Sequence, residues 1–162
     1  MKRRFASFLV SSLLLLPLTG CSRIDYSLPE HPTRFVSGTF TNPDKPEDQY
    51  ASIEYQGRTY IFYDGGLKGI LRGSDVKRCL GYLVREDHPE DQNDRVYLLT
   101  EDPDANYLMT FYVNGEMENP LFYRATDTVG QNIKTPSCID EYTREDYEAN
   151  LAMDPSFDTY WK

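Results

Sequence analysis

Residues 102–106 hold the side chains of this sequence whose spacing comes closest to a known metal-binding pattern. Asp102, Asp104 and Asn106 alternate with other residues, as the oxygen ligands at the start of an EF-hand calcium loop do. The pattern then breaks, because Tyr107 stands where the loop needs glycine and Val113 where it needs a bidentate glutamate. A solvated acidic turn explains the same residues equally well. We therefore keep these three residues as weak metal-ligand candidates and predict no cofactor.

Catalytic chemistry is difficult to build from the remaining residues. The two histidines are His31, in a proline-containing stretch, and His88, in an acidic stretch. General acid–base catalysis needs a side chain that is held in place and has a tuned pKa. The chain also contains no nucleophile elbow, zinc-protease motif, phosphate-binding loop or dinucleotide fingerprint. We predict no catalytic residue; a hydrolase that uses two carboxylates is the one enzymatic alternative.

Tyrosine is the most prominent excess in the composition, with 13 residues. Its apolar ring and polar hydroxyl suit contacts with sugars, peptides and protein surfaces. Two predicted strands, 58–63 and 107–112, carry tyrosine at both odd and even positions, so one face of each could be exposed for binding. This hypothesis assigns a binding face to Tyr60, Tyr63, Tyr107 and Tyr112. The alternative is ordinary packing of tyrosines between neighbouring strands.

The N-terminus has the three parts of a secretory signal. Met1-Lys2-Arg3-Arg4 is positively charged, and residues 5–18 are uncharged and rich in leucine but too few to span a bilayer. The stretch ends in Leu18-Thr19-Gly20-Cys21, which resembles the lipobox of bacterial lipoproteins. The resemblance implies that Cys21 carries diacylglycerol and becomes the first residue after cleavage. Two acyl chains would anchor the protein stably to a membrane, outside the cytoplasm, at the cell surface or in the periplasm.

These signals divide the chain into three parts. Residues 1–20 are predicted to be a signal peptide, residues 21–34 a lipidated tether with two prolines, and residues 35–162 a single β-rich domain. Once Cys21 is lipidated, Cys79 and Cys138 remain. An even number of cysteines in an exported chain predicts a disulfide between them, and two free thiols are the alternative.

The charge balance restricts the possible partners. The signal segment holds three of the 17 basic residues and none of the 26 acidic ones, so the chain from Cys21 onward has 14 basic and 26 acidic residues, a net charge of −12. Nucleic acid is not expected as a partner, because its binding depends on neutralising phosphates with Lys and Arg. The same net charge would repel anionic lipid headgroups and attract basic proteins.

The local pattern predicts short strands separated by turn residues. A helical turn is expected over 76–80 with Gly81 ending it, and a second helix after the capping pattern Thr143-x-x-Asp146. Phe157, Tyr160 and Trp161 are expected to pack back onto the domain. Single strands are predicted over 35–40, 82–85 and 95–100. Two hairpins are predicted as well. One covers 50–63 and turns at Gln56-Gly57, and the other runs from 107–113 through Asn114-Gly115 to 121–124. This pattern is typical of a small antiparallel barrel or sandwich with one or two short helices.

Together these features favour a membrane-anchored, non-enzymatic binding or accessory module. Its expected partners are the membrane, through the lipid, and a basic protein or a glycan. One alternative is an inhibitor or immunity lipoprotein against a basic toxin or cell-wall hydrolase. Another is a calcium-dependent structural or adhesion module.

Overall fold

The computed structural model describes residues 23–114, 119–154 and 160–161. They form ten strands and one α-helix, joined by irregular segments and a short 3-10 turn. The elements are β1 Thr33–Val36, β2 Gly38–Thr41, β3 Gln49–Tyr55, β4 Arg58–Tyr63, β5 Gly66–Leu67, β6 Val76–Val84, β7 Asp94–Leu99, β8 Tyr107–Tyr112, β9 Leu121–Ala125, β10 Ile139–Asp140 and α1 Arg144–Met153.

Eight strands build one curled sheet in the order β1-β6-β7-β8-β9-β4-β3-β2. Neighbouring strands are antiparallel, except that β1 runs parallel to β6. The curl brings β1 at one edge into contact with β3 near the other edge, which makes the sheet a half-barrel. Strands β5 and β10 form a separate two-stranded sheet. The expectation of a mainly β fold with a short helix is confirmed.

The hairpin between β3 and β4 forms where the sequence predicts it. Gln56 and Gly57 have φ angles of 51° and 75°, and two positive values in succession are typical of the tight turn that matches the twist of paired strands. The flanking strands pair from Tyr55 opposite Arg58 to Ser52 opposite Ile61. The strand predicted over 35–40 is instead two strands, β1 and β2, separated at Ser37.

The helix predicted over 76–80 is wrong, because these residues begin the long strand β6. Gly81 does not end a helix but lies inside this strand, opposite Thr33 of β1. A Cβ atom at Gly81 would come within 1.9 Å of the Thr33 carbonyl oxygen. Glycine is therefore required here so that the backbone of β1 can approach β6 closely.

Each face of the curled sheet has its own buried apolar cluster. Side chains alternate between the two clusters along β7 and β8, as the two-residue period of a strand requires. The inner cluster consists of Phe35, Ile53, Tyr60, Leu80, Val96, Leu98, Leu108 and Ala125. The outer cluster consists of Tyr63, Tyr97, Leu99, Tyr107, Met109, Phe122, Cys138 and Ile139.

The C-terminal part of the chain returns to the outer cluster. Helix α1 begins with the predicted capping box, in which the Thr143 hydroxyl accepts from the Asp146 N–H and the Asp146 carboxylate accepts from the Thr143 N–H. Beyond it, the Trp161 indole N–H donates to the Phe62 carbonyl at 2.9 Å. The predicted packing is thus confirmed for Tyr160 and Trp161. Phe157 and the Gly115 half of the predicted Asn114-Gly115 turn lie outside the described residues.

Candidate functional site

The predicted lipidation site, Cys21, lies outside the described residues, but the chain directly after it is described. Residues 23–28, here called the N-terminal segment, lie on the outer face of the sheet. The Tyr97 hydroxyl donates to the Asp25 carbonyl at 3.4 Å, and the Arg95 Nε donates to the Tyr26 carbonyl at 3.2 Å. Both contacts fix backbone atoms, so they hold the path of the segment rather than a single side chain.

Aromatic and aliphatic packing adds to these hydrogen bonds. The Tyr26 ring stacks on Phe111 with centroids 5.8 Å apart and an interplanar angle of 16°. Ile24 packs against the outer cluster. The stretch 21–34, predicted to be a lipidated tether, is attached to the domain from residue 23, and its last two residues belong to β1.

Two grooves flank the N-terminal segment, and Arg23 lines both of them. One has a volume of about 320 Å³ and is bordered by the start of β6, including Lys77 and Arg78. The other has a volume of about 580 Å³ and is bordered by Leu71 and Gly73. Arg23, the first described residue after Cys21, thus lies beside the connection between β5 and β6.

The disulfide predicted between Cys79 and Cys138 is absent, because both cysteines are free thiols in the structure. The Cys79 thiol donates to the Gly81 carbonyl at 3.4 Å, within its own strand. Cys138 is buried in the outer cluster just before β10, and burial raises the pKa of its thiol to about 11. An even cysteine count does not by itself place two sulfur atoms at bonding geometry.

Three of the four tyrosines assigned to a binding face are core residues, so that assignment is wrong for them. Tyr60, Tyr63 and Tyr107 are buried. The Tyr60 hydroxyl donates to the Ala105 carbonyl at 2.6 Å, and burial raises the pKa of this phenol to about 12. Tyr112 is partly exposed, and its hydroxyl donates to Asp91 at 2.8 Å. The alternative of packing between strands is the correct one for the first three.

The weak metal-ligand candidates serve the turn between β7 and β8. Asp102 is buried and accepts a hydrogen bond from the Tyr107 N–H at 2.6 Å; burial raises the pKa of its carboxyl group. The Asn106 side-chain oxygen accepts from Arg58 at 3.0 Å, while Asp104 is exposed. Within the described part of the chain, no three His, Cys, Asp or Glu side chains come together as a metal site would require.

Arg124 is the most constrained charged side chain that the sequence analysis missed. It is buried on β9, where its guanidinium donates to the Thr128 hydroxyl and carbonyl, both at 2.9 Å. The same group lies 5.1 Å from the centre of the Trp161 ring and within 6 Å of the Tyr63 and Tyr107 rings. Its position two residues after Phe122, on the same face of the strand, is the sequence signal that could have revealed it.

No family model matches this chain, and no curated protein or solved structure is significantly similar to it. Among the described residues, no helix has the length and apolar character needed to cross a bilayer.

Proposed function

We propose that this chain is a lipid-anchored, extracytoplasmic bacterial lipoprotein whose β-domain acts as a non-enzymatic binding or accessory module. The observation that carries the proposal is the lipobox-like sequence ending in Cys21, placed immediately before a segment bound to the domain. Only Ser22 separates Cys21 from the first described residue. Two residues reach at most about 7 Å, so the lipid would keep the domain next to the bilayer.

The side chains that could do chemistry support a binding rather than a catalytic role. His31 and His88 are exposed, and the His88 Nε2 lies 3.8 Å from the Asp87 carboxylate. The buried polar groups Asp102 and Arg124 are engaged by the backbone of neighbouring turns. Asp102 and Arg124 therefore maintain the fold, and the proposal gives neither these two residues nor the two histidines a catalytic role.

The test is the chemical state of residue 21 in protein purified from bacterial membranes. Mass spectrometry of the N-terminal peptide should show a diacylglycerol-modified cysteine at position 21 and no peptide from residues 1–20. The Cys21→Ser variant should keep residues 1–20, and the control Cys79→Ser should be processed normally. An N-terminal peptide that begins elsewhere, or an unmodified Cys21, would refute the proposal.

A second candidate function, inhibition of a basic toxin or wall hydrolase, is favoured by the loop after β6. Residues 85–94 contain five acidic residues, and most of the loop is exposed. Purified protein should inhibit a cationic wall hydrolase at low salt, and Glu86→Gln with Glu90→Gln should weaken inhibition at least fivefold. The control Glu30→Gln with Glu47→Gln makes the same charge change elsewhere. Inhibition that is absent, or equal in both double variants, would remove this candidate.

A glycan partner, the other one expected from the sequence, would need a surface other than the three buried tyrosines.

A further inference from the structure

The connection between β5 and β6 carries positive charge that the strongly acidic composition conceals. We propose that the basic face, defined as Arg23, Lys68, Arg72, Lys77 and Arg78, lies on the anionic lipid headgroups of the membrane in which Cys21 is anchored. This inference rests on the proposed lipid anchor. It adds an orientation: the domain would sit on the bilayer with this face down.

The five charges of the basic face are available to an external ligand. All five side chains belong to exposed residues, and the ion pairs found within the described ranges involve none of them. Of the nearby acids, Asp25, Asp75 and Glu101 are each engaged locally, and Asp140 lies opposite Gly66 on β10. Asp25 accepts from the Ser27 N–H at 2.9 Å, Asp75 from the Arg72 N–H at 2.8 Å, and Glu101 pairs with Lys134 at 3.1 Å.

An exposed apolar side chain lies within the same connection. Ile70 is 82% exposed, the highest value for a large apolar side chain in the described part of the chain. It lies between Lys68 and Arg72 in sequence. An exposed aliphatic residue flanked by basic ones suits a bilayer interface, where the apolar group enters the headgroup region and the cations meet the phosphates.

The described part of the chain begins beside the basic face. Arg23 borders one groove together with Lys77 and Arg78, and the other together with Leu71. The roughly 7 Å reach of the two preceding residues therefore ends next to the basic face. A lipid on Cys21 would bring this face, before any other, to the headgroups.

The separation of charge along β6 weakens the objection that a net charge of −12 repels anionic lipids. The basic residues precede or begin this nine-residue strand, and the acidic loop 85–94 follows its end. Nine residues span about 30 Å, several times the screening length of about 8 Å at physiological salt. Headgroups at the basic end would therefore be largely screened from the loop carboxylates.

The test measures how close each end of the domain lies to the lipids. The lipidated full chain is reconstituted into vesicles of neutral phosphatidylcholine, or of phosphatidylcholine with 30% phosphatidylglycerol, both containing bromine-labelled acyl chains that quench tryptophan. Ile70→Trp reports on the basic face. Leu121→Trp is the matched control, because Leu121 is 47% exposed and borders a groove with Asp94 at the acidic end. The parent protein, with Trp161 alone, gives the background.

We expect quenching at position 70 to be at least twofold stronger in the anionic vesicles and to fall to the neutral-vesicle level in 0.5 M salt. Adding Lys77→Gln and Arg78→Gln should remove the difference, whereas Lys45→Gln with Arg144→Gln should not. Equal quenching in both kinds of vesicle, or equal quenching at positions 70 and 121, would overturn the proposal.

The mass of the N-terminal peptide from the same preparation distinguishes the two proposals. A lipidated Cys21 with no lipid-dependent quenching refutes the basic face and leaves the anchor intact. An unmodified Cys21 refutes the anchor. In that case the same quenching assay, with the protein mixed with preformed vesicles, still decides whether the basic face binds anionic lipid.

Discussion

The inner and outer faces of the curled sheet each hold a buried cluster, but different parts of the chain bury the two clusters. The inner cluster draws all its members from strands of the sheet, and the curl closes it by bringing β1 towards β3. The outer cluster is covered by segments outside the sheet: the N-terminal segment, the β5–β10 pair, residues near 133 and Trp161. The inner face is therefore completed by strand pairing alone. The outer face depends on the two ends of the described chain, one of which leads towards the proposed anchor.

The largest expected effect comes from breaking the closure of the inner face at Gly81. Gly81→Ala places a Cβ atom 1.9 Å from the Thr33 carbonyl oxygen, so β1 and its core residue Phe35 must move. We expect a loss of about 3 kcal/mol in the free energy of unfolding, measured by urea denaturation. The control is Gly66→Ala, whose Cβ would meet no atom within 4 Å. Equal stability of the two variants would show that β1 does not close the inner cluster.

A somewhat smaller effect is expected on the outer face, at Arg124. Arg124→Met removes the hydrogen bonds to Thr128 and the contact with the Trp161 ring. We expect a loss of about 2 kcal/mol, because hydrogen bonds from a buried charge contribute more than neutral ones. Trp161 is the single tryptophan, so its emission should shift to longer wavelength as the C-terminus separates from the sheet. Arg124→Lys, which keeps the charge, should shift it less; unchanged emission in the methionine variant would contradict the role of Arg124.

Local sequence signals account for much of the fold. The hairpin at Gln56-Gly57 and the capping box at Thr143 were predictable, because each depends on residues adjacent in sequence. Strand β6 was not, since residues 76–80, which include Lys77 and Arg78, show no periodicity that separates a strand from a helical turn. The requirement for glycine at position 81 comes from Thr33, which is distant in sequence.

The candidate site was harder to predict, for two physical reasons. Alternating tyrosines on a strand indicate two faces but not whether both are covered, and here the segments that cover the outer face come from elsewhere in the chain. Net charge carries no spatial information either. The value of −12 says nothing about the placement of Lys68, Arg72, Lys77 and Arg78 in and beside one connection.

A third prediction concerns the turn between β7 and β8, which contribute to both clusters. Burial raises the pKa of Asp102, so the ionised carboxylate destabilises the folded state above that pKa. On acidification Asp102 becomes protonated at a higher pH in the folded state than in the unfolded state. The destabilisation therefore decreases as the pH falls and is gone below the unfolded-state pKa of about 3.9. Asp102→Asn keeps an oxygen for the Tyr107 N–H and should be more stable than the parent at pH 7, by on the order of 1 kcal/mol. Urea titrations should show this advantage shrinking towards pH 4; an advantage that grows on acidification would refute the assignment.

The smallest effect on global stability is expected from a substitution at Tyr26. This substitution nevertheless tests most directly whether the outer face is covered by a segment outside the sheet. Tyr26→Ala removes the stack on Phe111 from a segment that covers the outer cluster without belonging to the sheet. The free energy of unfolding should change by less than about 1 kcal/mol, because only a peripheral contact is lost. Hydrogen exchange of residues 23–28 should nevertheless accelerate at least tenfold.

Tyr142→Ala is the matched control for this change, since both rings are 41% exposed and Tyr142 packs instead near α1. Its exchange in residues 23–28 should equal that of the parent. If the N-terminal segment detached, residues 21–32 would become a spacer of up to about 40 Å and the basic face would no longer be held at the bilayer. Unchanged exchange in Tyr26→Ala would mean that two hydrogen bonds are sufficient to hold the N-terminal segment on the domain. These are the bonds from the Tyr97 and Arg95 side chains to the Asp25 and Tyr26 carbonyls.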